Sequence, residues 1–188
     1  MLFSPGWRAS TRQGGVLALF TAGLLLGGVL SASVVWLLSG LSEPIPADGR
    51  WAAALAVAVL GLLREFGVLP LRLPQNARQI PQDVLQRRPR LGTLQFGFEL
   101  GTGVRTYVTS AVPYVAALGL LLVHPSPAMA AATGLGFGAG RALTAAFHLW
   151  SRDEDWNARA STRMPWLPRL AAVAVLAALL LLSPWYGG

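Results

Sequence analysis

From about Gly15 to Leu38 the chain carries no charged side chain. A helix needs about 20 mainly apolar residues to cross the hydrocarbon core of a bilayer, and this run supplies them. Arg8 and Arg12 precede it, as in a secretory signal, but it is longer than the roughly 7–15 residues of a signal core. It reads as a retained membrane helix. Four further apolar segments follow, at about 51–70, 91–123, 128–150 and 166–185. Composition agrees, with 54% hydrophobic and 12% charged residues and a mean hydropathy of +0.52, against about 25% charged in a soluble domain. The expected fold is an all-α polytopic membrane bundle of about five transmembrane helices, a single domain over residues 1–188.

The net charge is +7, and all 15 basic residues are arginine. Their placement gives the orientation. Arg8 and Arg12 precede the first segment. Arg72, Arg78, Arg87, Arg88 and Arg90 follow the second, and Arg152, Arg159, Arg163 and Arg169 follow the fourth. The intervening loops hold only Arg50, beside Glu43 and Asp48. The positive-inside rule then puts the N-terminus in the cytoplasm and the C-terminus outside. Alternation from loop to loop is a topology signal, and no nucleic-acid partner is expected. Trp7, Trp36, Trp51, Trp150, Trp156, Trp166 and Trp185 fall near segment ends, where indole favours the headgroup level. The basic loop at 71–90 contains Pro74, Pro81 and Pro89, so it is not one helix. Residues 81–88 form either a short surface helix on anionic lipid headgroups or a solvated loop.

The third segment is longer than one straight span requires, rich in glycine at its start and interrupted by Pro113. A kinked or broken helix is expected. At helical spacing Gln95, Glu99, Thr102, Thr106, Thr109 and Pro113 share one face, and Gly97, Gly101 and Arg105 share another. In the fourth segment Ala130, Gly134 and Gly138 form one small-residue stripe and Gly136 and Gly140 a second, while Arg141, Thr144 and His148 lie on a different face. Small-residue stripes allow close helix approach. The third and fourth helices are therefore expected in the interior, and the Leu-rich first and fifth toward lipid.

Arg64, Glu65, Glu99, Arg105 and Arg141 all lie inside apolar segments. Counted from the segment ends, they fall in one layer on the cytoplasmic side of the midplane. With Gln95 and Thr106 they make a candidate intramembrane polar cluster. An arginine at a helix centre costs about 2.5–3.5 kcal/mol on the insertion scale, so pairing or snorkelling is expected. Two glutamates leave one of three arginines uncompensated, which suits an anionic group. A salt-bridge cluster that only holds the bundle together is the favoured expectation.

No catalytic, cofactor or metal site is legible. Cysteine is absent, which excludes disulfide and thiol chemistry within the chain. His124 and His148 have no metal-ligand spacing, and Asp153, Glu154 and Asp155 read as a solvated loop face. Ser110 has no histidine or aspartate at a readable spacing. The glycines at 101–103 and 136–140 do not match a phosphate loop.

The stretch FGFELGTGVRTYVTSAVP at 96–113 and the later GLGFGAGRALT resemble the glycine-rich helices of cytochrome c biogenesis and DsbD-type thiol electron carriers. The chain also resembles small actinobacterial polytopic membrane proteins of uncharacterised function. The first resemblance implies a related helical scaffold over about residues 91–150. The carriers' electron transfer needs a cysteine in each of two helices, so neither that function nor any site residue carries over. The all-arginine, alanine-rich composition suits a high-GC bacterium, with the protein in the cytoplasmic membrane. The expected role is a non-catalytic subunit or scaffold of a larger membrane complex, partnered by other subunits or by itself. The alternative is a small oligomeric carrier with an arginine-containing cavity for an anionic solute. No cofactor is expected.

Overall fold

A computed structural model of the protein describes residues 13–73, 89–104, 110–151 and 166–186. Among these it is helical and contains no strand. The helices are α1 (Gln13–Ser39), α2 (Ala47–Glu65), α3 (Pro89–Gly101), α4 (Val112–Val123), α5 (Pro127–Ser151) and α6 (Trp166–Tyr186), with one turn of tighter helix at Gly40–Ser42 after α1. By length and composition the stretch Gly14–Ser42 can cross a membrane, while Val112–Val123 and Trp166–Leu181 are shorter apolar helices. The third apolar segment is two helices, α3 and α4, of 13 and 12 residues. At 1.5 Å per residue each is only ~20 Å long.

The single domain expected from the sequence resolves into two compact units. Among the described residues, the first unit takes α1 through Ser31, α3 through Val104 and α5 from Gly134. The second takes α1 from Ala32, then α2, α4, α5 through Thr133, and α6.

The first unit is packed backbone to backbone. A Cβ added to Gly97 would lie 2.3 Å from the Phe20 carbonyl oxygen, and one on Gly101 2.4 Å from that of Leu24. From the other side, a Cβ on Gly23 would meet the Leu94 oxygen at 2.2 Å and one on Gly27 the Phe98 oxygen at 2.3 Å. In α5, Gly134 and Gly138 approach the Gly28 and Leu24 oxygens in the same way, at 2.5 and 2.6 Å. Val16, Phe20, Leu24 and Ala142 form the apolar centre beside these contacts, and Phe96 stacks on Phe20 with centroids 6.0 Å apart.

This corrects the expectation that the first helix simply faces lipid. α1 supplies the glycine face on which both α3 and α5 pack. The signal was Gly23-x-x-x-Gly27, a small-xxx-small pair obscured by the leucines between them. Of those leucines Leu24 is fully buried in the contact and Leu26 is exposed; further along α1, Leu30, Val34 and Leu37 are also exposed, Leu37 by 70%. Of the two stripes read in the fourth segment, the one through Ala130, Gly134 and Gly138 is packed; among the described residues nothing lies within 4 Å of a Cβ added to Gly136 or Gly140.

The second unit has two apolar centres. Ala58, Ala111 and Val115 pack with Val57, Leu73, Val175, Leu176 and Leu179. Ala32, Leu120 and Ala130 pack with Val35 and Trp36. α2 begins after Pro46 with Asp48 in its first turn and Arg64 in its last, the charge order that complements the helix dipole. It was expected to run to Pro70 but closes at Glu65. Gly67 takes a left-handed conformation (φ 77°). Its N–H bonds to the Arg64 carbonyl, and the Val68 N–H bonds to that of Leu63. This double closure ends a helix wherever glycine can supply the positive φ.

α4 ends on His124, also left-handed (φ 50°), before Pro125. α5 starts at once with Pro127 in its first position, where a missing N–H costs little. The Ser126 hydroxyl accepts from the Met129 N–H, capping the new helix.

The two kinds of glycine separate experimentally. Gly101→Ala drives a methyl into the α1 backbone and is expected to lower stability by about 2 kcal/mol or more. Gly140→Ala meets open space, keeps stability within about 1 kcal/mol and gains helix propensity. Thermal unfolding of both variants in the same detergent, followed by circular dichroism, checks the contrast.

Candidate functional site

The described members of the expected polar cluster fall in two groups, one in each unit. Arg105 and Thr106 lie outside the described residues, as do residues 81–88 and 153–155. Of His148 only the helical backbone is described.

In the second unit, the early end of α2 moves Arg64 and Glu65 from the body of a span to a helix terminus. Arg64 Nη1 donates to Glu65 Oε1 at 2.8 Å. The same oxygen accepts from the Ala111 backbone N–H at 2.5 Å. Ala111 is the residue on which α4 begins. Glu65 thus caps α4 from another helix, meeting one of the donors that a helix start leaves free with a charge that suits the helix N-terminus. Its side chain is only 7% exposed. From α6, Arg169 donates through Nε to the Glu65 carbonyl at 3.4 Å. The Arg169 guanidinium also sits 5.4 Å from the Phe66 ring centroid, within cation–π range. Arg64 Nε donates to the Leu71 carbonyl, tying down the chain that leaves the helix.

In the first unit, Gln95 Nε2 donates to Glu99 Oε1 at 3.0 Å, one turn apart on α3. The Thr102 hydroxyl donates to the Glu99 carbonyl at 2.7 Å. The Thr102 carbonyl, where α3 has ended, accepts from Ser31 Oγ of α1 at 3.0 Å. Gly103 follows with φ 72°, a conformation glycine adopts without strain. Arg141 lies with its guanidinium carbon 5.6 Å from the Phe137 centroid. Of the charges expected in one layer, Arg64 and Glu65 therefore serve the end of α2 and the start of α4.

Sequence reading missed a second polar group, in the second unit. Ser39 Oγ donates to the Trp36 carbonyl at 2.5 Å and lies 2.6 Å from His124 Nδ1. With its one proton on Trp36, the hydroxyl accepts from Nδ1–H. On the other side of the ring, Nε2 is 3.6 Å from Glu43 Oε1. Trp36 stacks on the imidazole and donates through its indole N–H to the Pro125 carbonyl at 2.7 Å. Ser42 Oγ bonds to the carbonyls of Ser39 and Leu122. These contacts hold His124 in a left-handed backbone that costs an ordinary residue about 1–2 kcal/mol.

A serine, a histidine and a carboxylate in a row invite a hydrolytic reading, but the geometry opposes it. Ser39 is fully buried, and its proton already goes to a backbone carbonyl. The group is a clasp between the turn after α1 and the turn after α4. Ser39 and His124 are 85 positions apart, so no sequence pattern could have paired them.

Compared with protein-family models, curated proteins and solved structures, the chain matches none. Among the described residues no cluster of histidine, aspartate and glutamate could hold a metal ion.

Glu65 makes the sharper prediction. Glu65→Ala leaves the Ala111 N–H without an acceptor and Arg64 without its partner, and is expected to cost about 2–3 kcal/mol. Glu65→Gln keeps an acceptor and loses only the charge, costing about 1 kcal/mol. Chemical denaturation in micelles ranks the two; equal losses would mean that the cap contributes nothing.

Proposed function

We propose that this chain is a polytopic integral membrane protein of a bacterial cytoplasmic membrane, with about five spanning segments, a cytoplasmic N-terminus and an external C-terminus. Its role is that of a non-catalytic subunit or scaffold of a larger membrane complex. The observation that carries the membrane reading is the inverted packing of α1. Glycines face protein beside Leu24, while Leu26, Leu30, Val34 and Leu37 face outward, which water penalises and lipid does not. α6 repeats the pattern, burying Ala172 and exposing Leu170, Val173, Leu180 and Leu181.

The assignment of two loops to one side is supported by the clasp. It joins the turn after the first segment to the turn after the third, the two loops that the arginine count assigns to the same outer face. The scaffold reading is supported by the use of Glu65, Thr102, Ser39 and His124, which satisfy this chain's own backbone and loops. The carrier reading retains one point in its favour, the interruption between α3 and α4, because broken helices build solute sites in transporters. The resemblance to thiol carriers adds no site, since the chain has no cysteine.

Purification from native membranes in mild detergent, with mass spectrometry of whatever co-elutes, tests the role. A stoichiometric membrane partner is expected. Elution as a defined homo-oligomer alone would turn the weight to the carrier, with anion uptake into liposomes as its measure. Orientation is tested on the same cysteine-free background. A Ser126→Cys variant is expected to react with an impermeant maleimide from outside intact cells, and labelling only after the cells are opened would reverse the topology.

A further inference from the structure

We infer that the corner where α2 ends and α6 begins seats the headgroup of one anionic phospholipid, its phosphate held by Arg169 and Arg72; this rests on the membrane reading above. The two helix ends meet there. Arg169, in the first turn of α6, donates to the carbonyl of Glu65, the last residue of α2. Arg64 donates to the Glu65 carboxylate and to the Leu71 carbonyl. Leu73 packs on the Ala58–Ala111–Val115 centre, as do Val175 and Leu176 of α6. Arg72 therefore stands between two anchored neighbours, Leu71 and Leu73.

Charge at this corner is unbalanced. Arg64, Arg72 and Arg169 are set against one acid, Glu65, whose carboxylate already accepts from Arg64 and from the Ala111 N–H. The other described acids of this unit, Glu43 and Asp48, lie before α2 and in its first turn, at the opposite end. Both Arg72 and Arg169 are exposed. Arg169 uses its Nε on the Glu65 carbonyl and lies over the Phe66 ring, which leaves its Nη groups without an acceptor among the described residues. Arg72 has no partner among them. Guanidinium N–H groups without acceptors suit phosphate oxygens, which they can bind in pairs. A phosphate held this way leaves the Glu65 cap on α4 in place.

The surroundings decide where the phosphate comes from. Phe66, Val68 and Leu71 are exposed after α2, and Trp166, Leu167 and Leu170 are exposed at the start of α6. A soluble anion gains nothing from six apolar side chains. A lipid brings acyl carbon to them and phosphate to the arginines, and aromatic rings beside basic residues belong at the headgroup level. The arginine count puts this corner at the cytoplasmic leaflet, whose surface is negative.

The full chain, extracted in dodecyl maltoside and washed free of lipid, is titrated under native mass spectrometry with palmitoyl-oleoyl phosphatidylglycerol and, in parallel, with the zwitterionic phosphatidylcholine of the same chains. Wild type is expected to bind one phosphatidylglycerol saturably, at least about tenfold more tightly than phosphatidylcholine. Each of Arg72→Gln and Arg169→Gln is expected to cut that preference about fivefold. Arg169→Gln also loses a contact between helices, so Arg72→Gln decides the matter should the other variant fail to fold. Excess glycerol phosphate, a headgroup without tails, is expected to leave the lipid bound.

Equal affinity for the two lipids, unsaturable uptake, or a full preference kept by Arg72→Gln overturns the proposal. Displacement by glycerol phosphate overturns it in favour of a soluble anion. A wild-type chain that takes up no phosphatidylglycerol but holds an acidic protein, released by Arg72→Gln, overturns it in favour of protein docking. A chain recovered in the soluble fraction of broken cells overturns the membrane reading itself, a result distinct from the others.

Discussion

A helix that stops inside an apolar segment must give its terminal backbone groups new partners, and this chain does so twice. α3 ends at Gly101 and α4 begins at Val112. Each buried N–H or C=O left unmet costs free energy, so such a break persists only where protein satisfies it. Ser31 of α1 takes the Thr102 carbonyl, and Glu65 of α2 takes the Ala111 N–H. Ser31 lies within α1, and Glu65, paired with Arg64, ends α2.

The glycines follow from the same demand for closeness. For Ser31 to reach the backbone at the end of α3, α1 and α3 must approach until only glycine fits between them. Gly23, Gly27, Gly97 and Gly101 lie along that line of contact. Removing side chains there leaves leucine to cover the opposite face. An α1 with glycine inside and leucine outside has no amphipathic period, which is why its sequence reads as uniformly apolar. In an amphipathic helix the apolar stripe marks the packed side; in α1 the glycines mark it.

Much of the fold was legible. Helix positions followed from runs of apolar residues, and the interruption of the third segment from its glycines and Pro113. What was not legible depended on single backbone angles and distant partners. Gly67 looked like any other glycine in an apolar run, yet its positive φ ends α2 before Pro70 and turns Arg64 and Glu65 from mid-span charges into terminal ones. Glu65 and Ala111 are 46 positions apart, and nothing in either neighbourhood names the other.

That relocation changes what the charges mean. A carboxylate in the body of a span is expensive and points to a solute or a proton path. At a helix end beside an arginine, facing the start of another helix, it meets two donors that would otherwise be unsatisfied, and its cost is offset locally. Arg64 at the C-terminal end of α2 likewise lies where a positive charge is favoured. Counting from the segment ends therefore placed Arg64 and Glu65 too far inside a helix. The groups that compensate these charges are parts of the fold itself, so an incoming anion at Glu65 would have to displace a cap on which α4 rests.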